Sequence, residues 1–367
     1  MKAAVIGSSG RGNYGHGLDV VWKDVRGVDA VAVADSDDKG RAVAINRIGG
    51  KVTGFADYRE MLDAVKPDVV SVCPRWPDQH RDMVVACAER GVRGIYLEKP
   101  MCRNLAEADA MVDACEKHRV KLAIAYQTRY SPVLEAVDRM VDSGKIGEVL
   151  ELRGRGKDDH RGGGEDLWVL GSHVMNLMEF FGGKAKWCSA QVLQAGKPVT
   201  REHVEEGNEG LGPLAGDCVR AMFGMSGSMT AYFSSRKDVA GSPTRFGLMI
   251  HGSEGLIWLS HGYLPRAHWL PDSSWTPGRT AKQWEEISSN GPGKPETLTA
   301  ANDLHAGNVA ACEELLACIK KDVSPSASIH DARSSTEMIA AVFESHRLAK
   351  RVSLPLENRD NPLLGQW

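Results

Sequence analysis

The stretch Ala3-Ala4-Val5-Ile6-Gly7-Ser8-Ser9-Gly10-Arg11-Gly12-Asn13-Tyr14-Gly15 carries a short apolar run straight into a glycine-rich turn. Such a run reads as a buried first strand, and a turn of this composition after a strand reads as the start of a nucleotide-binding unit. In the register set by the strand, the G-x-G-x-x-G positions are Gly7, Ser9 and Gly12. A literal match at Gly10-Arg11-Gly12-Asn13-Tyr14-Gly15 begins three residues too late. The earlier register sets Ser8, Gly10 and Arg11 beside the phosphates of a dinucleotide. A helix expected at 18–25 would aim its free N–H groups and positive dipole end at that anion.

Asp35 closes Ala32-Val33-Ala34-Asp35, 28 residues after Gly7. A carboxylate at the end of a second strand accepts the adenosine ribose hydroxyls and repels a 2′-phosphate. Asp37 and Asp38 deepen the negative potential, so NAD is expected in preference to NADP. A loop of merely solvated acids is the competing reading.

Residues 1–125 continue the strand–helix alternation. Strands are expected at 3–6, 31–34, 52–55, 69–73, 95–97 and 121–125, with helices at 18–25, 39–47, 58–65, 79–90 and 105–118. This spacing predicts a doubly wound parallel sheet, a Rossmann domain over 1–125. After about residue 130 the rhythm changes. A helix at 132–143 precedes longer strands at 147–155, 186–193, 217–225, 228–235, 245–251 and 256–260. Residues 262–300, rich in Pro, Gly, Ser and Trp, read as loop. Helices are expected at 303–321 and 331–350. The second domain, 126–367, is therefore expected to be α+β with a large, mainly antiparallel sheet.

At 367 residues, 42% hydrophobic and 25% charged, the chain is globular and long enough for two domains. Net charge is −3 with no long basic run, which leaves nucleic acid no electrostatic footprint. No apolar stretch is long enough to span a bilayer, and the amino-terminal strand is too short for a signal-peptide core. A cytoplasmic protein without membrane partners is expected. The eight cysteines are scattered, without C-x-x-C pairs or zinc spacing, and read as small buried thiols. No metal is expected.

Lys99 lies in Ile95-Tyr96-Leu97-Glu98-Lys99-Pro100, directly after the fifth strand. Ligands of open α/β sheets bind outside the carboxyl ends of the strands, where this ammonium would project. A lysine there can hold a substrate hydroxyl and help move its proton during hydride transfer. A solvated Glu–Lys surface pair is the bland alternative; Pro100 argues against it by biasing Lys99 away from helix. The fourth strand ends Cys73-Pro74-Arg75-Trp76-Pro77, with His80 opening the next helix. Cys73, Pro74 and His80 are expected at the nicotinamide ribose, and Trp76 at the substrate.

Together with the opening turn, Glu98-Lys99-Pro100 and Tyr126-Gln127-Thr128-Arg129-Tyr130 resemble the Gfo/Idh/MocA family of oxidoreductases. Gly144-Lys145-Ile146-Gly147 and the closing helices extend the resemblance over nearly the whole chain. It implies a Rossmann domain joined to an open-faced α+β domain, bound NAD, and oxidation or reduction of a ring CH–OH of a sugar or cyclitol. It also implies a homodimer or homotetramer. Lys99 takes the role of the substrate-binding, proton-transferring lysine, with Glu98 and Gln127 beside the cofactor and Arg129 and Tyr130 at the substrate. His173 carries over as acid/base from the family's Asp-x-x-x-His motif. The aspartate slot holds Val169, and Asn176 stands where a second acid is frequent. On one continuous helix, Asp166, Val169, His173 and Asn176 would share a face, which makes Asp166 the candidate replacement acid.

Upstream, Arg153, Arg155, Lys157, Asp158, Asp159, His160 and Arg161 form a dense polar segment. Asp158, Asp159, His160 and Arg161 are expected to recognise hydroxyls, since carboxylates and Arg forks fix polyol orientation; a plain exposed charge run is the competing reading. The favoured function is NAD-dependent dehydrogenation of a sugar, sugar derivative or cyclitol. The rivals are an NAD-requiring glycosidase that oxidises its substrate transiently, and a non-enzymatic NAD-responsive regulator.

Overall fold

The computed structural model describes residues 1–241 and 244–367. They form two compact units. The first comprises Met1–Gln127, Asn208–Gly212 and Leu304–Arg333, and the second comprises Thr128–Gly207, Pro213–Asp303 and Ser334–Trp367. The units are discontinuous in sequence, unlike a division at 125/126.

In the first unit, β1 (Lys2–Ile6), β2 (Asp29–Ala34), β3 (Thr53–Phe55), β4 (Val69–Val72), β5 (Gly94–Leu97) and β6 (Lys121–Ile124) make one parallel sheet. Its order is β3-β2-β1-β4-β5-β6, so the direction of winding reverses between β1 and β4. Ala3 to Ile6, Val69 to Val72 and Ile95 to Leu97 are at most 1% exposed, the mark of strands covered on both faces. The helices α1 (Asp38–Ile48), α2 (Tyr58–Val65), α3 (His80–Glu89) and α4 (Leu105–His118) fall within a few residues of their expected places. Asp37, Asp57 and Asn104 cap the first, second and fourth of these through their side chains.

The helix expected at 18–25 is absent. Residues 14–20 run through turns, and only a single 3₁₀ turn, Val21–Lys23, follows. Gly10, Gly12, Gly15 and Gly17, just before this stretch, have φ of 78°, 85°, 59° and 82°, so the segment leading into it is non-helical as well. Leu18, Val21 and Trp22, which read as a helical apolar stripe, are buried from this irregular segment instead.

The second unit is dominated by a large mixed sheet. Its central strands run Leu256–Leu259, Gly247–Gly252, β7 (Val149–Arg155), Thr230–Arg236, Cys218–Gly224 and β8 (Trp187–Gln194). All adjacent pairs are antiparallel except β7 with Thr230–Arg236. Between 262 and 300, expected to be loop, the strands Ala267–Leu270 and Glu285–Ser288 extend the sheet. Their alternating pattern is short and is masked by flanking Pro, Gly and Ser. The helix α5 (Pro132–Asp142) precedes β7. Two helices, α6 (Gly164–Val169) and α7 (Gly171–Gly182), replace the one continuous helix expected around His173. Leu170, at φ −115°, breaks the run. All eight cysteines are free and buried, and among the described residues no helix is long and apolar enough to cross a membrane.

Candidate active site

Within the first unit, the candidate residues gather at the carboxyl ends of β1, β2, β4 and β5. Asp35, at the end of β2, is 2% exposed. Its Oδ2 accepts from Ser9 Oγ at 2.8 Å and Ser9 N at 3.1 Å, and its Oδ1 accepts from Asp37 N at 3.0 Å. Ser9 thus folds its side chain onto the carboxylate. Room for it is made by Gly40, where a Cβ would stand 1.8 Å from Ser9 Oγ. Gly40 carries no motif, and sequence reasoning did not single it out. Beside Asp35 lies a hollow of about 270 Å³ lined by Ser8, Ser36, Tyr58, Arg59 and Met83 among others. The Arg59 guanidinium sits 4.4 Å from the centre of the Tyr58 ring. A carboxylate and serine hydroxyls around a polar hollow fit the ribose of a dinucleotide.

The glycine-rich turn uses most of its N–H groups on itself. Ser8 N donates to Asn13 O, Arg11 N and Asn13 N to Ser8 O, and Gly10 N to Asn13 Oδ1. Gly12 (φ 85°) admits close approach: a Cβ there would lie 2.6 Å from Trp76 N. Gly7 leaves room for the Tyr14 ring, which occupies the space a Cβ would take, at 2.2 Å. Arg11 is exposed, with Nε donating to Asp78 Oδ2 at 2.6 Å and its guanidinium 5.8 Å from the half-buried Trp76 ring.

His80, expected at the cofactor, is instead a clamp. It is fully buried, with Nε2 2.7 Å from Pro74 O and Nδ1 3.1 Å from the carbonyls of Pro100 and Met101. Burial pushes its pKa down while the carbonyls pull the other way. Cys73 is also fully buried, its Sγ donating to Ser71 O, and burial drives its thiol pKa well up. Any cofactor contact by Cys73 is therefore restricted to its backbone, and Pro74 O is taken by His80.

Glu98 is fully buried and Lys99 is 7% exposed. The Glu98 carboxylate accepts from His16 Nδ1 at 3.0 Å, His16 N at 3.3 Å and Lys99 N at 3.1 Å. Burial opposes its ionisation, but His16 and Lys99 outweigh that and hold its pKa below the usual carboxylate range. Gly15 must be glycine here, since a Cβ would meet Cys73 O at 2.5 Å and Glu98 Oε2 at 2.7 Å. A second residue that sequence reasoning missed completes the arrangement. Asn308, fully buried, accepts at Oδ1 from Tyr96 Oη at 2.7 Å and Gln127 Nε2 at 2.8 Å, and donates from Nδ2 to His16 O at 3.1 Å. Nothing local in its helix, Asp303–Lys321, signals this contact.

The second unit supplies a separate cluster. His173 opens α7 and is partly exposed. Its ring centre lies 5.5 Å from that of His261, which stacks on Phe246 at 4.0 Å. Arg129 donates to Asn176 Oδ1 at 3.2 Å and stands 4.5 Å over the Phe180 ring, with the partly buried Tyr130 next along the chain. His173, Asn176 and Arg129 are thus brought together.

Asp166 is not with them. The break at Leu170 removes the shared helical face, and Asp166 is fully buried, accepting from Ser235 Oγ at 2.5 Å and Asp158 N at 3.1 Å. Burial raises its pKa, against the pull of those donors. Asp158, also fully buried, accepts from Arg155 Nε at 3.0 Å and Arg236 N at 2.8 Å. Both carboxylates stitch the loop after β7 to its neighbour, in place of the acid role expected of Asp166 and the hydroxyl recognition expected of Asp158. Asp159 pairs with Arg161, Oδ2 to Nη2 at 2.7 Å, and this hydrogen bond holds its pKa well below the ordinary value. His160 is exposed. Gly154 lies under Val174 and Met178 of α7, so Arg153 and Arg155 point to the other face of the sheet. There they line a hollow of about 740 Å³ with Arg220 and Arg245.

Residues 1–126 match a family described as "Oxidoreductase family, NAD-binding Rossmann fold". A D-apiose dehydrogenase from Paraburkholderia graminis is 25% identical over 373 residues, covering 96% of this chain and 90% of its own length. A glycosyl hydrolase family 109 protein from Akkermansia muciniphila is 28% identical over 180 residues, 45% of this chain and 36% of its own. Among solved structures, levoglucosan dehydrogenase in complex with NADH and levoglucosan aligns with a TM-score of 0.76 at 18% identity, over 97% of this chain and all of that one.

Proposed function

Because the chain belongs to the Gfo/Idh/MocA oxidoreductase family, with its NAD-binding Rossmann fold in residues 1–126, we propose that it is an NAD-dependent dehydrogenase of a secondary hydroxyl on a sugar, sugar derivative or cyclitol. The observation that carries this reading is the buried Glu98–Lys99 pair at the end of β5 of an NAD-binding sheet. Asp35 and Ser9 would hold the ribose, with Ser8, Gly10 and Gly12 along the turn. Bound NAD supplies the hydride acceptor. Lys99 binds the substrate hydroxyl and, as the neutral amine, takes up its proton as the hydride passes to NAD, and His173 is the second acid/base group. Trp76, Arg129 and Tyr130 are proposed to contact the remaining hydroxyls. The activities for which the relatives are named, on D-apiose and levoglucosan, support the carbohydrate class.

The test is NADH formation over a panel of sugars, sugar derivatives and cyclitols with wild type, Lys99→Met and His173→Ala. Either substitution is expected to lower kcat/KM by about 10²–10⁴-fold. Full turnover by Lys99→Met would refute the assignment. The likeness to a glycosyl hydrolase family 109 protein favours one second reading, an NAD-requiring glycosidase. In that case aryl glycosides release aglycone without accumulation of NADH. A homodimer or homotetramer in the cytoplasm is proposed alongside, and light scattering checks the oligomer.

A further inference from the structure

We propose that His261 is a further substrate-contacting residue, its two ring nitrogens reserved for hydroxyl groups of the ligand that His173 addresses. The proposal rests on the sugar or cyclitol reading above. His261 follows the strand Leu256–Leu259 by two residues, on a turn held at several points. Gly262 N donates to Thr128 Oγ1 at 3.1 Å, and Tyr263 N and Leu264 N donate to the Asp303 carboxylate at 3.0 and 2.5 Å. The imidazole lies against Phe246 at 4.0 Å with an interplanar angle of 21° and stands 5.5 Å from His173. Backbone and ring plane are thus both fixed before any ligand arrives.

Nδ1 and Nε2 of this ring are buried, and neither has a hydrogen-bond partner among the described residues. A folded chain rarely keeps a buried polar atom unpaired, and two on one ring are a reason to look for what pairs them. The helix that carries His173 holds two more of them among the described residues. Ser172 Oγ and Asn176 Nδ2, on α7 either side of His173, are likewise buried without partners. Asn176 Oδ1 is already taken by Arg129, which fixes the direction of its amide.

The chemistry of these groups selects the ligand. Burial depresses the His261 pKa to about 3, so at neutral pH the ring offers one N–H and one lone pair. Ser172 adds a hydroxyl that both donates and accepts, and Asn176 an amide that donates. An anion would ask for donors throughout, and a metal ion for acceptors throughout. A mixture of both, beside an apolar ring, matches neighbouring hydroxyls on a carbon ring, each of which donates and accepts.

His261→Phe keeps the stack on Phe246 and removes both nitrogens; His261→Gln keeps a donor and an acceptor. Steady-state kinetics with the best substrate of the panel are combined with thermal melting of the ligand-free proteins. His261→Phe is expected to raise the KM for the sugar at least 10-fold, leave the KM for NAD within 2-fold, and melt no lower than wild type. His261→Gln is expected to recover part of the lost KM. An unchanged sugar KM in His261→Phe would overturn the proposal whatever its melting point; a melting point several degrees lower would add that the imidazole has its partners within the fold. Should wild type turn over nothing in the panel, the dehydrogenase reading fails by itself, and calorimetric binding of the panel compounds to NAD-loaded wild type and His261→Phe decides this one: weaker binding by the variant supports it, equal or no binding overturns it.

Discussion

Glu98→Gln puts the most weight on the geometry of the first unit. The native carboxylate takes three donors, His16 Nδ1 and Lys99 N on Oε1 and His16 N on Oε2, with no access to water. A glutamine oxygen in place of Oε1 keeps two of these, but as neutral hydrogen bonds. Charged hydrogen bonds are worth about 1.5–3 kcal/mol against about 0.5–1.5 for neutral ones, so roughly 1 kcal/mol is lost at each. The amide NH₂ then faces the His16 N–H, donor to donor, which leaves buried groups unsatisfied at about 1–3 kcal/mol. The sum is a loss of about 3–5 kcal/mol at neutral pH. The pH dependence has a definite sign. Because the folded pKa of Glu98 lies below its ordinary value, its stabilisation is complete above about pH 4.3 and is lost as pH falls through the depressed value. Urea unfolding of both proteins between pH 7 and pH 3.5 reads the difference: wide at pH 7, narrowing only in the acid range. Equal stability at pH 7 to within about 0.5 kcal/mol, below the worth of one such hydrogen bond, would refute the reasoning, as would a gap that does not narrow on acidification.

Gly40→Ala should drive Ser9 off Asp35, since the new methyl would stand 1.8 Å from Ser9 Oγ. We expect a weaker NAD complex by calorimetry, roughly 3–10-fold, and no effect of the same change in a Ser9→Gly background, because coupled neighbours fail to add. Asp166→Asn should retain turnover to within a few fold, as the carboxyl bonds Ser235 and Asp158 rather than a ligand. Its raised folded pKa means that wild-type Asp166 loses stability as pH rises through that value, so the asparagine variant should gain on wild type between pH 4 and pH 8 in thermal melts. Loss of activity without loss of stability would restore Asp166 to the catalytic set.

The parallel sheet was legible because its strands are continuous apolar runs that alternate with helix-length segments; both signals are local. Glu98-Lys99-Pro100 was legible for the same reason. What failed was of three kinds. The helix at 18–25 failed because the burial of Leu18, Val21 and Trp22 is achieved from turns and a single 3₁₀ turn, and apolar spacing over so short a stretch does not tell these from a helix. The shared face of Asp166 and His173 failed because a one-residue break at Leu170 resets the helical phase, and no residue type marks it. Gly40, Asn308 and His261 were invisible because their roles come from contacts at large sequence separation, Asn308 with His16 across 292 positions. Periodicity carries no information about those.

The first turn bears on how the cofactor is held. A helix placed after a glycine-rich turn would present an array of unpaired N–H groups and a dipole to the pyrophosphate. Here there is no α-helix to supply the dipole, and the N–H groups of Ser8, Ser9, Gly10, Arg11 and Asn13 are already bonded within the turn or to Asp35. Serine in the second glycine slot belongs to the same arrangement: its hydroxyl and N–H reach back to the β2 carboxylate, and its Cβ stays out of the turn because Gly40 leaves room on the other side. The turn is therefore braced against β2 by its own donors. We propose that charge complementarity to the phosphates falls mainly to Arg11, an exposed guanidinium oriented by Asp78. A turn braced in this way would lose little conformational freedom on binding the dinucleotide, a saving expected to offset the helix dipole it lacks, worth about 0.3–1 kcal/mol at an exposed site.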